Sequence, residues 1–146
     1  MSNTYPIWWD KTITIYNKIT ADDGKVSWQS TVISGCFWKY INETKYVDNV
    51  KMQTKEVICR IPEQDNYVPY LEWKTLEDKT GKFTLHTGDF VVYGEVNDVI
   101  DEYTKGQRAS DVLNKYREVN LAFQIEVFTD NTGDVLNSEH YRLGGI

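Results

Sequence analysis

The residue types that build stapled or metal-bound domains are scarce in this sequence. Its 146 residues include two cysteines, two histidines and three prolines. Cys36 and Cys59 both fall inside apolar, strand-like runs. Two thiols cannot make a disulfide framework, and with only His86 and His140 beside them they do not suggest a structural zinc site. They are read as buried, reduced thiols acting as small hydrophobes. No apolar run approaches the roughly 18 residues of a membrane-spanning helix. The first residues lack the basic region of a secretion signal, and Ile7-Trp8-Trp9 stops at Asp10 and Lys11. The expectation is a soluble protein made in the cytoplasm. Positive charge is also short, with 16 Lys and Arg against 22 Asp and Glu, a net charge of −6. That balance argues against a module that grips nucleic acid by its phosphates, and against docking on anionic lipid.

Motifs for chemistry are missing as well. Gly81, Gly88 and Gly94 do not form a phosphate loop, and Gly88-Asp89 opens a strand rather than a helix. No serine sits in a nucleophile elbow. A Cys–His pair drawn from Cys36 or Cys59 with His86 or His140 would need a contact that sequence does not place. His86 and His140 with Asp89, Asp98 or Glu139 could ligate a metal. However, Glu139 and His140 fall on opposite faces of an extended strand and would not chelate together. Acidic residues are too many for any carboxylate pair to signal glycoside hydrolysis. The sequence predicts no catalytic residue, no cofactor and no metal.

What the sequence does have is aromatic residues and turns. Aromatics make up 14% of the chain, among them five tryptophans and ten tyrosines, which excludes a disordered composition. Residues 12–19 alternate as a strand with Ile13 and Ile15 on one face. An Asp-Asp-Gly turn at 22–24 then leads into a return at 26–29. Residues 31–40 form a second run, with Val32, Cys36, Trp38 and Tyr40 expected on one face. Residues 51–61 form a third, closed by Pro62. Residues 62–82 read as a long irregular loop. Short strands are expected at 83–86 and 90–93, with 96–100 continuing the sheet. A helix over 110–117 is capped by Ser110. Residues 121–128 alternate with Leu121, Phe123, Ile125 and Val127 inward, a turn follows at 130–133, and residues 138–143 return as the last strand. The pattern predicts one mainly β domain over 1–146, a small antiparallel β-barrel or sandwich with one short helix.

Trp and Tyr are favoured anchors of interfaces. The candidate contact residues are Trp8, Trp9, Tyr46, Tyr67, Tyr70 and Trp73. On an extended chain Trp8 and Trp9 point to opposite sides, one buried and one presented. Exposed coplanar rings among the tryptophans would instead suit a carbohydrate- or peptide-binding β-module.

Several segments resemble small phage and prophage proteins of the neck region, the head-closure and head–tail connector proteins of long-tailed phages. Thr12-Ile13-Thr14-Ile15-Tyr16-Asn17, the acidic Gly turn, Trp28 and residues 32–38 resemble their opening strand, hairpin tip and second strand. Residues 83–94, with Thr87-Gly88-Asp89 at their centre, resemble a recurrent Gly-Asp strand opening. Residues 127–131 and 140–144 resemble the closing hairpin of an uncharacterised Firmicutes-prophage family. The resemblance implies a β-barrel virion protein that forms a six- or twelve-fold ring of its own copies between portal or adaptor and tail proteins. DNA would touch it only in passing through the lumen, where an acidic ring lets DNA slide. A tail terminator or tail-completion protein is the nearest alternative. Residues 63–79 and 42–51 are the expected contact or gating loops. The resemblance brings no catalytic residue with it.

Overall fold

The computed structural model describes residues 5–132 and 140–146. Alternation of apolar and polar residues produces six strands: β1 (Lys11–Thr20), β2 (Val26–Val47), β3 (Val50–Pro62), β4 (Phe90–Tyr93), β5 (Ala122–Asp130) and β6 (His140–Gly145). Two helices interrupt them, α1 (Tyr70–Trp73) and α2 (Ala109–Arg117). All neighbouring strands pair antiparallel in the order β1-β2-β3-β6-β5-β4, and β4 pairs back onto β1, so the sheet closes into a barrel. The mainly β class holds, in its barrel form. The expected single helix is α2, and the four-residue α1 is additional. Closure leaves no edge along the barrel wall, which removes the hazard of open strands there.

Two bulges set which side chains enter the barrel. Ile13 pairs with Ile33 but Lys11 pairs with Cys36, so β2 carries one extra residue beside Gly35, whose φ is +75°. That extra residue switches the parity of the strand. Ile33 and Cys36 both point into the core, while Val32 is exposed, contrary to the alternation expected along 31–40. A second shift lies between Ile125 and Val127 on β5. Phe123 and Ile125 are fully buried, but Val127 is exposed and Phe128 packs against the core in its place. Leu121 is also exposed.

The barrel is filled by Ile13, Ile15, Ile61, Phe123, Leu143 and their neighbours, with Cys36 and Cys59 among them. Both cysteines are free thiols, and burial pushes the Cys36 thiol up to about 12 and raises Cys59 as well. One end of the barrel is stoppered by residues 83–85. These are not the strand their alternation suggests; among the described residues Phe83 makes one isolated bridge, to Tyr67. Phe83 and Leu85 nonetheless sit in the barrel core. The Asn17 side chain takes the place of a partner strand, accepting from Thr84 N at 3.3 Å and donating to Thr84 O at 2.7 Å.

A second core lies outside the wall. Tyr16, Phe90, Val92 and Ala122 face outward from the barrel and are covered by Ile100, Val112 and Leu113. Residues 96–100 therefore do not extend the sheet. They cross over Tyr16, whose hydroxyl donates to Asp98 O at 2.8 Å. Helix α2 begins one residue earlier than expected and its N-cap is Arg108, not Ser110. Its first free N–H groups are met by carboxylates: Asp111 accepts from Arg108 N, and Glu102 accepts from Ala109 N at 2.6 Å. At its other end Asp98 accepts from Lys115 and from the Tyr116 hydroxyl. Residues 133–139, which carry the end of the expected turn and the expected start of the last strand at Ser138 and Glu139, lie outside the described residues.

β6 ends in two glycines because the wall is tight there. A Cβ on Gly145 would lie 1.9 Å from Gln124 O. Gly145→Ala should therefore cost about 1–3 kcal/mol or more in urea unfolding. Gly24→Ala, in open space at the β1–β2 turn with φ +86°, should cost only about 1 kcal/mol from its backbone conformation.

Candidate functional site

Two surfaces stand apart from the rest of the molecule. The first is an arm. β2 and β3 continue past the barrel, pairing from Phe37–Arg60 out to Val47–Val50. The two residues between them, Asp48 (φ 52°) and Asn49 (φ 65°), make the tight turn that a two-residue hairpin demands. β1 pairs with β2 only as far as Cys36, and β6 pairs with β3 only over residues 57–62. Beyond those points neither edge of the hairpin pairs with another strand among the described residues. Residues 42–55 are exposed without exception. At about 3.3 Å per residue the tip stands roughly 23 Å beyond residue 41. Its apolar residues gather at the tip: Val47 faces Val50, Met52 adjoins them, and Tyr46 is 72% exposed on the other face.

At the root of this arm lies the N-terminal aromatic group. The chain turns at residues 6–9, with Trp9 N donating to Pro6 O at 3.0 Å. Trp9 is half-buried among Tyr5, Phe37 and His140, while Trp8 is 64% exposed. The two rings do face different ways, but a turn rather than an extended strand separates them.

The remaining candidate contact residues are less available. Trp73 is fully buried in α1, with Lys79 Nζ 5.7 Å over its ring, and it is corrected from a surface anchor to a packing residue. The reason is that residues 62–82 fold back on the barrel through α1 instead of looping into solvent. Tyr67 is half-buried against Tyr141, Phe83 and Phe128. Tyr70 is half-buried and stacks on His86 with ring centroids 3.6 Å apart. Of the six, Trp8 and Tyr46 present their rings to solvent.

The second surface is a cleft of about 910 Å³ on the outside of the barrel, between α1 with the segment after it and α2. Trp28, Phe90 and Leu113 contribute apolar lining, and Lys18, Lys74, Lys79 and Arg117 are its cationic residues. Among the described residues its one carboxylate is Asp89, which is nearly fully buried. Asp89 accepts from Asn17 Nδ2 at 2.9 Å and from Lys18 N at 3.2 Å. Burial nevertheless dominates and pushes its pKa up to about 6. The cleft went unread in the sequence because its cations stand at positions 18, 74, 79 and 117, with no local pattern to join them. Among the described residues no three His, Cys, Asp or Glu side chains gather as a metal site, and no helix is long and apolar enough to cross a membrane.

A model for a family of unknown function, DUF6751, matches residues 8–146. The chain belongs to this family. The DUF6751 match takes in the whole barrel, the arm, the cleft and Trp8. No curated protein and no solved structure matches the chain.

Asp89 makes the stability of this DUF6751 barrel depend on pH. Its folded pKa lies above the unfolded value near 3.8, so between about 4 and about 6 the folded chain binds more protons than the unfolded one. Stability from this group falls as pH rises through that window. Urea unfolding at pH 4.5 and 6.5 should show the wild type losing about 2 kcal/mol relative to Asp89→Asn over the interval. Parallel curves for the two proteins would contradict this assignment.

Proposed function

We propose that the protein is a structural virion component of the head–tail connector. Its copies join into a ring between portal or adaptor and tail, and DNA passes through the lumen. The observation that carries this reading is the arm. An isolated two-stranded hairpin is marginal in water, and this one has both edges unpaired among the described residues and apolar groups at its tip. Such an element suits strand addition to a neighbouring subunit, where main-chain hydrogen bonds give affinity and alternate side chains give register. A ring needs two different patches per subunit, and a free hairpin on a closed barrel supplies one. The net charge of −6 supports a lumen that repels DNA. The virion is then the working location, after synthesis in the bacterial host. Its partners are further copies of itself and the portal or adaptor and tail proteins, with no membrane and no cofactor required. Within this reading, a tail-terminator position is the closest variant.

The arm can be removed without disturbing the core, because residues 42–55 contribute no buried side chain. A variant in which Ile41 and Glu56 are joined by a two-residue turn should fold with a thermal midpoint within about 4 °C of the wild type, a change below about 1 kcal/mol. In the prophage, deletion of the gene should yield separated heads and finished tails by electron microscopy, and the arm-shortened gene should fail to rescue. Normal infectious particles from the deletion would overturn the connector reading. Tails of irregular length with intact joints would move the protein to the tail end.

A further inference from the structure

We infer that the cleft beside α2 is a binding site for an acidic peptide segment of a partner protein, one that alternates carboxylates with apolar side chains. This inference does not rest on the connector reading.

Charge is the first argument. Over the whole chain acids outnumber bases, 22 to 16. Among the described residues around the cleft the ratio reverses, with Lys18, Lys74, Lys79 and Arg117 against the single carboxylate of Asp89. Asp89 offsets them only in part: it feels the charge of Lys18 but not that of Lys74, Lys79 or Arg117, and it already accepts from Asn17 and from the Lys18 backbone. Among the described residues the ion pairs are Lys11–Asp10 and Lys115–Asp98, and neither involves a cleft cation. Among the described residues no exposed carboxylate forms an ion pair with these four cations, and Lys79 donates instead to Leu76 O at 2.7 Å. Separated like charges of this kind repel one another and are relieved by a ligand of opposite sign.

Unmet donors are the second argument. Trp28 Nε1 and Arg117 Nε are buried without a hydrogen-bond acceptor, and both residues line the cleft. Buried donors are ordinarily satisfied. Both lack an acceptor among the described residues, and a ligand carboxylate or peptide carbonyl reaches them once the half-buried Trp28 and Arg117 side chains turn outward.

The shape decides the class of ligand. The cations come from three separated places, the end of β1, the segment after α1, and the last turn of α2. A single small anion would fill little of about 910 Å³. Between them lies the half-buried Trp28 ring, packed over Phe90, and it suits apolar side chains rather than a bare polyanion. Multiple carboxylates spaced by apolar groups are what an extended acidic peptide offers. Each rim pair contributes little alone, so recognition is the sum of several pairs around the Trp28 ring.

The test uses the full chain and a fluorescein-labelled decapeptide of alternating glutamate and leucine. Its counterpart has glutamine in place of glutamate, and labelled oligothymidylate of equal charge serves as the nucleic-acid probe. Fluorescence anisotropy should show the acidic peptide binding at least tenfold more tightly than the glutamine peptide. That advantage should shrink at least tenfold between about 50 and 300 mM salt as screening shortens. Lys74→Gln with Arg117→Gln should weaken binding at least tenfold, whereas Lys55→Gln on the arm should leave it unchanged. In nitrogen-resolved NMR spectra the Trp28 indole N–H signal should shift on titration with the acidic peptide while the Trp8 signal stays in place. Unchanged indole spectra for the cleft variants without peptide confirm that they remain folded. Equal binding of the acidic and glutamine peptides, tighter binding of oligothymidylate, loss of affinity in Lys55→Gln, or a still Trp28 signal would each overturn the proposal.

Discussion

One buried amide holds the barrel shut. The Asn17 side chain is fully buried in β1 and reaches two segments that are distant in sequence. It brackets Thr84 through both backbone groups and donates to the Asp89 carboxylate. With Thr84 fixed, Phe83 and Leu85 on either side are committed to the core as a stopper. With Asp89 fixed, Phe90 begins β4 in register with Tyr16, and those four residues are all that close the sheet between β1 and β5. Removal of the amide would leave both backbone groups of Thr84 without this partner and the buried Asp89 carboxylate with only its bond from Lys18 N, a costly set of vacancies. The cost of burying Asp89, visible in its raised pKa, is tolerated because this carboxylate anchors the start of the closing strand. Asp89 also borders the basic cleft, so barrel closure and cleft geometry share one hinge of hydrogen bonds.

How far the sequence could be read depended on whether the signal was local. β1, its acidic Gly turn and the return into β2 are legible because alternation and turn chemistry agree over a dozen residues. The two bulges are not legible by alternation, since one extra residue beside Gly35 or near Glu126 reverses every later side chain. Gly35 itself is a signal that alternation overlooks: a glycine inside a strand run marks a place where the ladder is broken. Phe83-Thr84-Leu85-His86 has the period of a strand, but Phe83 bonds to the backbone of residues 66 and 68 while Thr84 bonds to the Asn17 side chain, a division that no pattern reveals. Trp73 has the composition of an interface anchor and the position of a core residue, because α1 is too short to show helical periodicity.

The same distinction separates the two surfaces. The arm lies within one contiguous stretch, and residues 42–51 point to it from sequence. The cleft is assembled from β1, the segment after α1, and α2, so only the fold brings its cations together. Net charge hides it too, since a chain at −6 gives no hint of a basic hollow. Composition averages over surfaces that a partner meets one at a time.

The arm and the cleft also differ in the physics they offer, and this bears on what each can meet. Along residues 42–56 the arm carries Glu43, Asp48 and Glu56 against Lys45, Lys51 and Lys55, so it is neutral overall. Its means of recognition are open backbone edges and an apolar tip, which are insensitive to salt and select for a strand. The cleft's means are charge and the half-buried Trp28 ring, and charge selects for acidic sequence and weakens as ionic strength rises. A neutral hairpin is a poor complement to a hollow lined by four cations. If neighbouring copies join through the arm, the arm would not be what fills a neighbour's cleft, and each subunit would keep one cleft for an acidic segment of another protein.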